Sequence, residues 1–411
     1  VLAAAGLCGL GYWLLSASAR GELTIPYSNN SVLFGCLLVL KTVTLFFLAV
    51  QMPLVSSVMH EYGVAFTEGV LVLTKSLFFL VAYTFILKSL RDWEDRRNAL
   101  YFVVLCITLT AAYGLFQFFV LGHHTLTSTF RNIYEMSKVV PGVWEYQDPW
   151  FQDATVGHEH FGAYMTMAFS LCAGLLLYGF PERRSRRLGL VVLCACCAFN
   201  LIYASSRGAW IGATCSLVAL VLWQLAEGKL KEFISYYVVL SLVIAGLVYG
   251  LDLSPVEYVG KRVEGLVTSS TIEGVLTNTQ GQIKDVSARD RVALFMELWN
   301  RFSQRPLVGW GAGGAGRIAE GQFIRELTEG GIIGSILFFG FLYSCVSIAR
   351  RHYREARDPL VKGCNMGLAC GIAGMAGQSL FTELFILTKV GASFWVTVAV
   401  VQSMGWERAQ E

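Results

Sequence analysis

The sequence predicts an all-α, polytopic transmembrane helical bundle of about eleven or twelve spans, with a long exported loop that carries short amphipathic helices. Three observations predict it. Of the 411 residues, 55% are hydrophobic and only 15% are charged, and the mean hydropathy is +0.55. Apolar stretches of roughly 18 to 24 residues recur along the chain, each long enough to cross about 30 Å of hydrocarbon. These stretches do not alternate at period two, as the strands of a membrane barrel would. A soluble chain of this length would instead show amphipathic periodicity with charged outer faces.

The apolar runs fall near 1–18, 32–55, 66–88, 98–121, 158–180, 188–205, 209–226, 233–251, 331–349, 362–380 and 386–405. The chain divides accordingly into N-terminal transmembrane helices (1–121), a loop (122–157), central transmembrane helices (158–251), a long loop (252–330) and C-terminal transmembrane helices (331–411). Four short connections set the orientation. "KSLRDWEDRR" (88–97), "PERRSRR" (181–187), "EGKLKE" (227–232) and "ARRHYREARD" (349–358) are basic or charge-dense, and short basic loops stay cytoplasmic. An even number of crossings separates each pair of them. The same alternation exports 122–157, the turn around Arg207 and the segment 252–330, which in a bacterium places all three on the periplasmic side of the inner membrane.

Carried back to the start, the count also exports Val1. A first span ahead of Val1, or a different count around "QMPLVSSVMHEYG" (51–63), would restore the usual order. The first apolar run has no basic flank or clear cleavage site, so it does not read as a cleavable signal. The formal net charge of +3 says little about partners. The eleven cysteines lie mostly inside apolar runs, Cys194, Cys196 and Cys197 sharing one, and read as small buried hydrophobes.

The segment 252–330 holds Arg262, Arg289, Arg291, Arg301, Arg305, Arg317 and Arg325, unusual for an exported loop. Within it "PLVGWGAGGAG" (306–316) is a glycine-rich turn. "DRVALFMELWNRF" (290–302) reads as an amphipathic helix, with Val292, Phe295, Leu298, Trp299 and Phe302 on one side. Such a helix would lie along the interface with its aromatics in lipid. "FIRELTE" (323–329) leads helically into the next span.

The guanidinium fork pairs bidentately with phosphate and stays charged when partly desolvated. Arg207 sits between two long apolar runs, and its small flanks Ser205, Ser206 and Gly208 leave room for a ligand; a snorkelling interfacial arginine is the bland alternative. Arg291, and with it Arg289, would serve the same anion, a lipid-linked pyrophosphate. In "GHEHFGAYM" (157–165), His158, Glu159 and His160 crowd a helix start. Two histidines two apart do not share a helix face, so sugar hydrogen bonding or simple capping fits better than zinc. Candidate bases are Glu320, Glu326, Glu329 and Glu383, each of which could equally be a salt-bridge partner. The sequence has no Walker-type phosphate loop and no paired aspartates at metal-binding spacing, which leaves a soluble nucleotide-sugar donor, a metal or any other cofactor without support.

Three segments together resemble one family. "SSRGAWIG" (205–212), "RDRVALFMELWNRFSQRPLVGWGAGGAG" (289–316) and "AEGQFIRELTEGGIIGSILFFGFL" (319–342) are similar, in order and in predicted exported placement, to the signature blocks of the O-antigen ligase and polymerase superfamily. "GHEHFGAYM" falls where that family has an asparagine-rich stretch. The resemblance implies an integral-membrane glycosyltransferase, metal-independent and inverting, that takes a glycan from undecaprenyl pyrophosphate. The acceptor it implies is a second lipid-linked repeat unit or lipid A-core, with a chain-length regulator as a possible partner. It makes Arg207 and Arg291 the donor pyrophosphate ligands, with Arg289 beside them. Where ligases carry a histidine, this chain has Glu320 and Gly321, then Gln322. The departure leans the reading away from ligation to lipid A-core and toward polymerisation of O-antigen or exopolysaccharide repeat units, or ligation with an unusual acceptor, with Glu320 standing in as base or acceptor-orienting group and Gln322, His158 and His160 on the glycan. A polysaccharide-lipid transporter, or flippase, would instead predict discontinuous helices with buried ionisable residues near mid-membrane. An envelope-assembly scaffold is a third reading.

Overall fold

The computed structural model describes residues 29–51, 59–90, 92–120, 158–178, 184–204, 206–229, 231, 234, 286–316, 321–385 and 388–405. The expected span near 1–18, that near 233–251 apart from residue 234, and the loop 122–157 lie outside the described residues. Among the described residues there are ten helices and no strand. They are α1 (Asn29–Gln51), α2 (Met59–Ser89), α3 (Trp93–Phe119), α4 (His158–Leu177), α5 (Arg184–Tyr203), α6 (Arg207–Ala226), α7 (Val286–Gln304), α8 (Gln322–Glu355), α9 (Pro359–Gln378) and α10 (Thr388–Met404). Nine of them coincide with expected spans, and α7 is the expected amphipathic helix. Six are long and apolar enough to cross a membrane. Phe102, Leu105, Leu109, Leu222, Ile336 and Phe339 face outward, the inside-out pattern of a bundle solvated by lipid.

The centre is α9, which packs against α4, α6 and α8. Glycine at 363, 367 and 371 gives α9 a face with no side chains every four residues, so backbones meet directly. A Cβ built on Gly367 would lie 2.7 Å from Leu171 Cα and Ser170 O, and one on Gly363 would lie 2.8 Å from Gly174 O. Gly374 and Gly212 repeat the contact between α9 and α6. In the membrane no hydrophobic driving force separates helix from lipid, so this close van der Waals fit holds the centre.

The helix ends sort the charges. Tyr178 at the end of α4 hydrogen-bonds Tyr353 near the end of α8. Lys229, just past α6, lies 4.9 Å above the Tyr178 ring. Trp93, at the start of α3, borders a cavity with His352 and with Met404 at the end of α10. The described parts of the connections 88–97, 181–187, 227–232 and 349–358 thus share one end of the bundle, as the even count of crossings requires. The start of α6 lies at the other.

Candidate functional site

At that other end, Ser206 caps α6: its Oγ accepts from the Ala209 amide at 3.2 Å, which makes Arg207 the first helical residue. Trp210 Nε1 donates to Leu201 O at 3.0 Å and ties the turn to the end of α5. Arg207 is half-buried. A Cβ on Gly208 would lie 3.5 Å from Gln378 Cγ and 3.6 Å from Phe381 Cβ, at ordinary contact with the end of α9 and the connection to α10. Ser205 lies outside the described residues.

The start of α4 joins the same place. Gln378 Nε2 donates to Glu159 O at 2.9 Å, and Thr382 Oγ1 donates to the Glu159 carboxylate at 3.2 Å. Gly162 abuts Ala209 of α6. His160 is half-buried on this first turn, and the side chain of His158 lies outside the described residues.

Beside these ends α8 is broken. Gly331 adopts φ 62° and ψ −160°, which splits α8 into a short polar segment and the span proper. A break leaves carbonyls and amides without helical partners, and the glycine loop supplies them. Trp310 and Gly311 amides donate to Thr328 and Glu329 carbonyls at 2.9 and 2.8 Å. Ile332 and Ile333 amides donate to Pro306 and Leu307 carbonyls at 2.8 and 3.2 Å. Gly309, at φ +67°, admits this approach, since a Cβ there would lie 2.5 Å from Glu329 O. "PLVGWGAGGAG" and "LTEGGIIG" are therefore two halves of one hydrogen-bonded joint.

A buried ionic cluster fills the joint. Lys41 Nζ of α1 lies 2.9 Å from Glu326 and 3.2 Å from Glu329. Arg325 Nη1 lies 2.9 Å from Glu329, and its Nε lies 2.8 Å from Glu383. Arg325 Nη2 donates to Gly316 O at 3.1 Å, and the Gly313 amide donates to Glu329 Oε1 at 3.0 Å. Gln322 is buried; its amide N–H donates to Ser379 O and its Nε2 to Glu326 Oε1, both at 2.8 Å, while its Oε1 has no hydrogen-bond partner. One guanidinium thus ties the glycine loop, α8 and the α9–α10 connection together. Glu326, Glu329 and Glu383, candidate bases in the sequence, are ion-paired members of this scaffold. Glu320 lies outside the described residues.

The position of the joint along the membrane normal follows from α8 itself. From Gly331 to Arg350, at the basic end, the helix rises roughly 28 Å, close to the thickness of the hydrocarbon. The cluster therefore lies near the opposite face, not at mid-membrane.

The amphipathic helix α7 docks on the joint. Leu298 packs with Ala315 and Ile324, and Thr328 Oγ1 donates to Leu298 O at 3.2 Å. Arg301 Nη1 donates to Gly314 O at 3.1 Å, and Trp310 Nε1 donates to Arg301 O at 2.7 Å. Phe295 and Trp299 face outward, as expected of an interfacial helix. Arg289 and Arg291 fall in the first turns of α7, but their side chains lie outside the described residues.

Sequence reasoning missed Lys41 and the depth of Arg325. A lone lysine within the apolar run 32–55 was the available signal, because an intramembrane charge needs a partner. The Gly363-x-x-x-Gly367-x-x-x-Gly371 spacing was a second unread signal.

A polytopic helical membrane protein with a loop-sealed broken helix and a cluster of helix starts at one face is the class these features define. Residues 192–335 match the family described as O-antigen ligase, which supports the O-antigen ligase and polymerase family to which the motifs point. The match supports a function of ligase or polymerase type, by an enzyme acting on glycans. It runs from within α5 to just past the break in α8, and so includes Arg207, α7 and the joint, but neither Lys41 nor Glu383. No curated protein matches the chain.

Proposed function

We propose that this protein is a periplasm-facing glycosyltransferase of the inner membrane that polymerises undecaprenyl-pyrophosphate-linked oligosaccharide repeat units, without a metal. An acceptor hydroxyl attacks the anomeric carbon of the donor glycan as the bond to the pyrophosphate oxygen breaks. The lipid pyrophosphate leaves with the electron pair, and Arg207 and Arg291, flanked by Arg289, steady the growing charge. Glu320 takes the hydroxyl proton. His158, His160 and Gln322 hold the glycan, and proximity supplies much of the remaining barrier reduction.

The observation that carries this reading is convergence. The start of α6 with Arg207, the start of α4, and the α7–loop–α8 joint meet around residues 378–383 at one end of the bundle. The four basic connections lie at the other end, which by the positive-inside rule is cytoplasmic. Supplying the protein in nanodiscs with lipid-linked repeat units tests it. Glycan extension with release of lipid pyrophosphate is expected, and Arg207→Ala should slow it by at least about 100-fold. Glu320→Gln should abolish transfer while donor still binds. Full extension by both variants would remove these residues from the mechanism.

One observation favours the transporter reading: α8 is discontinuous and carries buried ionisable side chains. Here, though, the loop closes the break, and the charges neutralise one another close to one face. Translocation of lipid-linked glycan without extension, in the same nanodisc material moved to vesicles, would favour that reading instead.

A further inference from the structure

At the basic end, far from the joint, four helices enclose a cavity of about 260 Å³ lined by Trp93, His352, Glu355, Asp358, Val361 and Met404, among others. Its chemistry differs from its surroundings. Arg350, Arg351, Arg354 and Arg357 crowd the adjoining end of α8 and the connection to α9. The cavity itself presents two carboxylates and an indole. The ends of α8 and α10 and the starts of α3 and α9 border it together, so the helix ends supply no net charge preference and the side chains decide what it takes. His352 is 4% exposed, and its Nδ1 has no hydrogen-bond partner. The ring lies directly over Gly405, where a Cβ would collide with it. A buried nitrogen left without a partner is uncommon and calls for a missing group.

We infer that this cavity takes the primary ammonium of a zwitterionic phospholipid, phosphatidylethanolamine. Glu355 and Asp358 accept from the ammonium, the Trp93 ring offers its π-face, and the imidazole of His352 completes the site as a neutral acceptor. The phosphate lies outside, among the arginines. Depth argues for a lipid over a free amine: the cavity is where α3, α8, α9 and α10 reach the membrane surface, at headgroup level. The inference is independent of the glycan chemistry proposed for the opposite face.

Native mass spectrometry of the full chain, released from nanodiscs of equimolar phosphatidylethanolamine, phosphatidylcholine and phosphatidylglycerol, tests it. At least one retained phosphatidylethanolamine is expected, favoured about tenfold over phosphatidylcholine, whose quaternary ammonium cannot donate hydrogen bonds. Glu355→Gln should reduce that preference at least fivefold, and Trp93→Leu by less. Asp358→Asn serves as a second variant, since asparagine preserves the cap on α9. Equal retention of the three lipids, or a preference unchanged in both Glu355→Gln and Asp358→Asn, overturns the site. Displacement of the lipid by millimolar soluble phosphoethanolamine would show that a free amine suffices, and would overturn the lipid assignment.

Discussion

Two glycine-rich regions of this protein are held together by opposite physics. Along α9, glycines at ordinary helical geometry bring its backbone against those of α4 and α6, and close shape holds them with a few neutral hydrogen bonds, such as Ser170 to Ser216 and Gln378 to Glu159. At the joint, glycines permit a turn and a break, and hydrogen bonds with five charged groups, four of them buried, hold what shape alone would not. The first region is therefore sensitive to volume and indifferent to charge. The second is sensitive to charge and to backbone geometry. A membrane protein needs both kinds: apolar surfaces gain little from leaving lipid, whereas an exposed peptide group or an unpaired ion inside lipid costs several kcal/mol.

Five single substitutions and one double variant separate the two regimes. The largest effect is expected at the joint. Arg325→Met removes the guanidinium shared by Glu329 and Glu383 and should destabilise by about 3–5 kcal/mol, read as a large drop in the unfolding temperature in detergent. Lys41→Met should act in the same direction, and adding Glu326→Gln should recover part of the loss, because two matched neutral groups replace a pair. Failure of the double variant to improve on Lys41→Met would mean that charge is not what holds α1 to α8.

Next comes the α9 interface. Gly367→Leu should cost about 3 kcal/mol through overpacking, with size-exclusion chromatography showing loss of a single folded species. Its effect should not change with salt or pH. Gly309→Ala forces a side chain onto a left-handed backbone pressed against Glu329 O, and should cost about 2 kcal/mol. The same melting curves would measure it, and a neutral result would mean that the loop does not seal the break. The smallest effect belongs to the exposed pair Arg301–Glu297, one helical turn apart in α7 at 2.6 Å. Glu297→Gln should change stability by less than about 0.5 kcal/mol, an effect erased by salt.

The same contrast explains what could be read without coordinates. The apolar runs are visible because each must independently span hydrocarbon, and nine became helices close to the expected bounds. The amphipathic α7 is visible from its aromatic spacing. Gly208 was ambiguous, because a small residue beside an arginine reads equally as ligand room or as a packing notch, and only tertiary structure shows that Gln378 and Phe381 are its neighbours. Glu326, Glu329 and Glu383 could not be divided between base and scaffold either, since their partner Lys41 lies some 285 positions earlier than Glu326.

The sequence alone determined the membrane class, the helical fold and which connections share an end. Hydrophobic length and local charge are one-dimensional quantities, and the bilayer reads them span by span. Tertiary structure alone decided that α8 breaks at Gly331, that the glycine loop closes the break, and that Lys41 neutralises carboxylates on a distant helix. Each of these depends on which groups become neighbours once water is gone, and in lipid every buried charge or open peptide group must find its partner within the protein.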